Sequence, residues 1–241
     1  MLRIARTLLE LIYPKRCPIC ERIVLPKGAF ICAKCYEELQ WVNAPYCMKC
    51  GKPIHDPTKE YCYDCESKTF HYEYGYGMWV YDEKLRRSIV GFKYKNRKEY
   101  AEFYVNELVR GYADKIGRMG VECIVPVPIH KRRYRQRGYN QAAILAKKLG
   151  ERLGIEVEEE ALIRCKYTMP QKNLSDRERL KNLEQAFRVN QKRIEKYRGK
   201  RVLLLDDIYT TGSTIEACAK VLKGAGVDKV YYISLCIGRG Y

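Results

Sequence analysis

The sequence predicts an α/β domain, a mostly parallel sheet with helices on both faces, preceded by a small cysteine-rich module. Three observations predict it. Short apolar runs at Glu122–Val127, Val202–Leu205 and Lys229–Cys236 alternate with segments of helical spacing, the pattern of a parallel sheet with crossover helices. The run Val202–Leu205 leads into two carboxylates and a loop of hydroxyls and glycine that opens a helix; parallel sheets hold ligands at this end of their strands. Near the N-terminus, cysteines recur in evenly spaced pairs.

Length and charge bound the rest. A chain of 241 residues can bury one substantial core and carry a small second module. The formal net charge of +17 favours polyanionic partners: nucleic acid, phosphorylated metabolites or acidic membrane surfaces. The first residues, MLRIARTLLELIYPKRC, space their apolar side chains as on a short amphipathic helix, and Glu10 interrupts any signal-peptide core. No run approaches the length of a membrane span. A cytoplasmic protein without stable membrane insertion is expected, with an amphipathic helix over 1–16, a metal module over 17–68 and the α/β domain over 69–241.

In the cytoplasm, regularly spaced cysteines bind metal rather than form disulfides. Eight of the twelve form four C-x-x-C pairs, Cys17/Cys20, Cys32/Cys35, Cys47/Cys50 and Cys62/Cys65, with eleven residues between one pair and the next. Each C-x-x-C turn offers two thiolates to one metal, so eight imply two closed Cys₄ sites, a donor set that suits structural Zn²⁺, with an iron–sulfur centre or redox thiols as the alternatives. Equal spacing does not choose the pairing. The flanking texture repeats every 30 residues, which favours Cys17/Cys20 with Cys32/Cys35 and Cys47/Cys50 with Cys62/Cys65 over a crossed arrangement. Two Zn²⁺ on eight thiolates lower the net charge by four, to +13. The module has few aliphatic residues, so metal would supply the stability its core cannot.

Phe70–Tyr81 reads as a strand rich in tyrosine, and 82–116 as a helical region with a basic cluster at Lys84, Arg86, Arg87, Lys93, Lys95, Arg97 and Lys98. After Glu122–Val127 comes a loop holding Lys131, Arg132, Arg133, Arg135 and Arg137, and then a helix opened by Gly138-Tyr139-Asn140-Gln141. Five cations after a central strand would neutralise a pyrophosphate or a nucleic-acid backbone, with Tyr94, Tyr134 and Tyr139 interleaved for stacking. Ala161–Tyr167 reads as a further strand. The polar segment Thr168–Phe187 reads as a lid, with Lys172 and Arg179 able to close over a ligand. The isolated Cys123, Cys165, Cys218 and Cys236 read as small buried hydrophobes.

The block Asp206–Thr214 carries the chemistry. Thr210, Thr211, Gly212, Ser213 and Thr214 precede a helix. Free backbone N–H groups, the helix dipole and a glycine that permits close approach suit a phosphate there. Asp206 and Asp207 would repel that phosphate, but would accept hydrogen bonds from ribose hydroxyls, directly or through hydrated Mg²⁺. A phosphate cradle beside hydroxyl acceptors describes a ribose 5-phosphate. A P-loop would place a lysine after its glycine, and none follows Gly212. With only His55, His71 and His130 in the chain, no Ser-His-Asp or Cys-His nucleophile is indicated.

The block resembles the PRPP-binding signature of type I phosphoribosyltransferases. With KRCPIC, VPVP, RQRGYNQ, TMPQKNLSDRERLKNLEQAF and DDIYTTGST in that order, nearly the whole chain resembles the ComF/ComFC family of competence-associated proteins. The resemblance implies a double zinc ribbon before a type I phosphoribosyltransferase-like domain, and PRPP or a phosphoribosyl nucleotide as ligand with Mg²⁺. It also implies handling of single-stranded DNA in natural transformation beside a ComF helicase-like protein. Asp206, Asp207 and Arg137 would be catalytic if the domain transfers a pentosyl group; Lys131, Arg132, Arg133 and Arg135 would meet nucleic acid. Two other readings stand beside it: an active phosphoribosyltransferase of nucleotide metabolism or salvage, and a zinc-ribbon adaptor with a vestigial PRPP pocket.

Overall fold

The computed structural model describes residues 14–26, 28–167 and 185–239. The helix expected over 1–16 lies outside them up to residue 13, as do the lid candidates Lys172 and Arg179.

Two cysteine knuckles open the described chain, each closed by a short helix, α1 (Ala33–Glu37) and α2 (Tyr63–Glu66). The α/β domain follows: β1 (Gly75–Val80), α3 (Glu83–Tyr94), α4 (Tyr100–Met119), β2 (Cys123–Pro126), α5 (Lys131–Arg137), α6 (Gln141–Leu153), β3 (Glu156–Val157), β4 (Leu162–Arg164), β5 (Phe187–Val189), α7 (Gln191–Ile194), β6 (Arg201–Tyr209), α8 (Ser213–Gly224) and β7 (Lys229–Ile237). The main sheet has the order β1-β7-β6-β2-β3, with every pairing parallel.

Alternation along the central strand divides the core into two layers, as period-2 side-chain placement requires. Leu203 and Leu205 face a layer built from α3, α4, α6 and the first knuckle. Val202 and Leu204 face a second layer built from α8, the β4–β5 hairpin, Ile194 of α7, Tyr197 and the second knuckle. The phase shifts at the strand end: Ile208 packs on the first layer and Tyr209 on the second. The free edge of β1 is covered by the chain around Trp41. The Val42 amide donates to Met78 O at 3.1 Å and the Val80 amide to Gln40 O at 2.8 Å. An open edge would invite pairing with another chain.

Four readings are corrected. The basic stretch Lys131–Arg137 is a helix: its residues favour helix, the His130 ring accepts from the Arg132 amide, and Gly138 at φ 78° closes it in the left-handed region. Ala161–Tyr167 does not join the parallel sheet. Its Leu162–Arg164 core pairs antiparallel with Phe187–Val189 as a separate hairpin, so Phe187, the last residue of the supposed lid, opens a strand. The two carboxylates lie inside β6, which continues past them to Tyr209. Cys165 is exposed and falls just after β4, unlike the buried Cys123, Cys218 and Cys236.

Candidate ligand site at the strand switch point

Strand β2 leads by α6 to the outer β3, whereas its neighbour β6 leads by α8 to β7 on the other side. Between β2 and β6 the winding reverses, and a crevice opens at their carboxyl ends, where such sheets bind ligands. The β2 end carries α5 to this crevice; the β6 end carries the loop Thr210–Gly212 and the N-terminus of α8. Gly212 adopts φ 78°, and a Cβ on it would stand 2.3 Å from the Tyr209 hydroxyl, so only glycine fits. The hydroxyls of Thr211 and Ser213 meet at 2.9 Å across it.

Adjacent strand positions place the two carboxylates on opposite faces. Asp207 is buried and takes a 2.8 Å hydrogen bond from Lys93 Nζ of α3. Asp206 accepts from the Asp207 amide at 2.8 Å. Burial, with the Asp207 charge second, pushes the Asp206 carboxyl up to about 7, opposed by Lys93 and Arg164. Arg164, in the hairpin, lies within the electrostatic reach of Asp206, Arg133 and Arg137, and burial leads in holding its own pKa below the usual range. Its guanidinium lies 5.1 Å from the Phe187 ring centre.

The cations of α5 fall into two groups. Arg137 is partly buried: it donates to Gln141 Oε1 at 2.7 Å and to the Tyr94 hydroxyl at 2.6 Å, and stacks over the Tyr94 ring at 4.6 Å. Arg133 is also partly buried, whereas Lys131, Arg132 and Arg135 are exposed. Arg132 and Arg133 approach the Tyr167 ring at 4.9 and 5.8 Å. Tyr94 and Tyr134 are exposed, as stacking would need, but Tyr139 is buried with its hydroxyl donating to Phe92 O. Lys93 thus meets Asp207 and Arg164 lies near Asp206, with Arg133 and Arg137 near Arg164 in turn, a cluster of cations suited to a polyanion. Sequence reasoning placed Lys93 only in a basic cluster and missed Arg164. Lys93 lies at the end of α3, and nothing local marked it as facing β6.

The cysteines form two groups, Cys17, Cys20, Cys32 and Cys35, and Cys47, Cys50, Cys62 and Cys65, with all sulfurs of a group within 4.8 Å of one another. Sulfurs at the corners of a zinc tetrahedron lie about 3.8 Å apart. Cys20 and Cys32 sulfurs are 3.7 Å apart, Cys17 and Cys32 3.7 Å, and Cys50 and Cys62 3.6 Å. Both groups fit a structural zinc with no open position for water.

Sheet, crevice and ribbons define a phosphoribosyltransferase-type α/β domain behind a double zinc ribbon. The family models agree: residues 8–66 match the double zinc ribbon domain and residues 135–240 the phosphoribosyl transferase domain. The chain is 30% identical to Competence protein F of Haemophilus influenzae over 83% of its own length and 87% of that protein's. It is 30% identical to the DNA utilization protein YhgH of Escherichia coli K12 over 92% and 97%, and 25% identical to Competence protein ComFC of Bacillus subtilis over 81% and 79%. The chain belongs to the ComF family.

Proposed function

We propose that this protein binds PRPP, with Mg²⁺, in the β2–β6 crevice and handles single-stranded DNA along the adjacent basic face during DNA uptake. The observation that carries the reading is the strand–loop–helix block Asp206–Thr214 at the switch point. Backbone N–H groups of Thr211–Thr214 would hold the 5-phosphate. Asp206 and Asp207 would accept from the ribose hydroxyls, the Lys93 hydrogen bond holding the Asp207 side chain in place. Arg137, fixed by Gln141 and Tyr94, would face the pyrophosphate with Arg133 and Arg164. Mg²⁺ would add charge neutralisation to that pyrophosphate. In a pentosyl transfer the bond from the anomeric carbon to the pyrophosphate oxygen would break, the electron pair leaving with pyrophosphate, and a lone pair of the acceptor would form the new bond to that carbon. These residues would act by positioning and electrostatics.

Calorimetry with PRPP and Mg²⁺ tests the site. Asp206→Ala with Asp207→Ala, or Gly212→Leu, should weaken binding at least about tenfold, the scale of a lost charge-assisted hydrogen bond. Unchanged affinity removes this site from consideration.

For DNA, the exposed Lys131, Arg132 and Arg135 of α5, with Tyr94 and Tyr134 beside them, are the contact surface. Replacing the three cations by Ala should flatten the log-affinity against log-salt slope by about 2, at roughly 0.7 per phosphate contact. A triple variant that binds an oligonucleotide as its parent does across the salt range rules this surface out. The competence names of the relatives and the family resemblance favour action in the cytoplasm beside a helicase-like partner. Among the described residues, no helix is long and apolar enough to cross a membrane.

A further inference from the structure

The second knuckle reaches the phosphate loop through buried tyrosines. The Tyr232 hydroxyl donates to the carbonyl of Cys50. Its ring stacks on Tyr209, with centroids 4.7 Å apart and planes 6° from parallel. The Tyr209 hydroxyl meets the Tyr72 hydroxyl at 2.9 Å and sits against Gly212, leaving no room for a Cβ. Tyr72 is fixed from the knuckle side: Lys49 Nζ donates to its carbonyl at 2.6 Å. One residue earlier, the His71 amide donates to Glu216 Oε2 at 2.9 Å, and its ring contacts the same carboxylate, in the first turn of α8. All three tyrosines are buried.

The first knuckle makes contacts of the same kind elsewhere. The Tyr36 hydroxyl donates to Glu107 Oε2 on α4 at 3.2 Å, and Trp41 packs on Trp79 of β1. Both belong to the opposite layer of the sheet.

We infer that the second knuckle is a prop for the phosphate loop, and that Tyr209 and Tyr232 are positioning residues that hold Gly212 in its anion-binding conformation. A loop that grips an anion with backbone N–H groups works only if those groups are aligned beforehand. Gly212, at φ 78°, is the most permissive residue in this loop. The Tyr209 ring is what its Cα rests on. Deleting the Tyr232 hydroxyl strands the Cys50 carbonyl in an apolar layer and loosens the stack that fixes Tyr209. The inference rests on the reading that this loop holds a phosphate, but the loop's order can be measured without any ligand.

The experiment compares Tyr232→Phe and Tyr209→Phe with Tyr36→Phe, the matched hydroxyl deletion on the first knuckle. Amide hydrogen exchange is followed in the full chain for the peptide Tyr209–Ala217, with α6 as the internal reference. PRPP affinity is measured in parallel. In the first two variants, exchange at Gly212–Thr214 should rise about tenfold with α6 unchanged, and PRPP binding should weaken by a similar factor. Tyr36→Phe should leave both at parental values. Unchanged loop exchange in Tyr232→Phe and Tyr209→Phe overturns the inference. So does a rise shared equally by α6, which is loss of global stability. A parent chain that fails to bind PRPP sinks the ligand reading alone, and the exchange comparison still decides the prop.

Discussion

The two metal ribbons are the same object in two settings. Their likeness extends to the backbone at the 30-residue interval. Arg16 bridges Ile23 and Tyr46 bridges Pro53. The amide of Cys17 donates to Arg22 O, and that of Cys47 to Lys52 O, both at 2.8 Å. Glu21 and Gly51, at equivalent positions, both take positive φ. The surroundings differ. In the first ribbon Cys20 is exposed and Cys32 half-buried, and the ribbon packs on α3, α4 and β1. In the second, all four cysteines are buried in the layer that holds Tyr209 and α8. Thiol spacing therefore fixes what a ribbon binds, while its neighbours fix what the ribbon holds together.

The strongest way to break this contrast is to remove one metal site at a time. A structural zinc contributes about 10 kcal/mol or more to the fold it organises, comparable to the whole stability of a domain. Cys62→Ser should abolish the cooperative thermal transition of the α/β domain, because the second layer loses part of its core. Cys32→Ser should lose one zinc equivalent and local order in the first ribbon while the domain still unfolds cooperatively. Circular dichroism melts with zinc analysis would show the contrast. Identical melts in the two variants would mean that both ribbons are equally integral.

The two sheet faces can also be contrasted by pH. Asp207 looks to the first layer, where Lys93 meets it, and Asp206 to the second, near Arg164 and Cys218. Asp206 is pushed up to about 7 by burial first and by Asp207 second. An aspartate raised in the folded state favours folding only while protonated. Its cost is absent below the unfolded value near 4, grows as pH rises towards 7, and stays constant above. Asp206→Asn should therefore stabilise the protein at pH 8 by at most about 4 kcal/mol and at pH 4 by less than about 1 kcal/mol. Urea midpoints at the two pH values check this. A gain equal at both would trace the effect to packing rather than charge. The cost would be part of what a ligand site exacts on a fold.

Why some of this was legible in the sequence and some was not follows from range. The ribbons and β6 were readable because their signals are local: C-x-x-C turns, a 30-residue texture, an apolar run ending in Asp206–Thr214. The stretch Lys131–Arg137 reads as a loop because all its residues but Tyr134 are charged or polar, so no apolar face marks a helix, and its caps, His130 and Gly138, are weak signals. The β4–β5 hairpin joins residues separated by the long polar segment, a pairing that no local pattern announces. Lys93 and Arg164 reach the site only through packing, from a helix end and a hairpin. The eleven-residue spacing could not show that one ribbon lies beside the loop Thr210–Gly212 and the other does not.

The smallest and sharpest test uses the equivalent positions Glu21 and Gly51, where the ribbons share a positive φ but not a residue. Gly51 has φ +68°, and a Cβ there would stand 2.7 Å from the carbonyl oxygen of Gly75 and 3.1 Å from Tyr76 Cα, both backbone atoms that cannot swing aside. Glu21 has φ 60° with its side chain towards solvent, 3.5 Å from Lys95 in an exposed pair. A left-handed L-residue costs about 1–2 kcal/mol. Gly51→Ala incurs that strain and must also push the ribbon off β1, for a loss of about 3 kcal/mol. Glu21→Gly runs the other way: it relieves the strain but loosens the unfolded chain, leaving a gain below about 1 kcal/mol, while the exposed ion pair it removes contributes little. Denaturant midpoints for the two variants should therefore move in opposite directions. If the Gly51→Ala midpoint stays as close to the parent as that of Glu21→Gly, the second ribbon yields to β1 without cost, and its difference from the first is one of position rather than of packing.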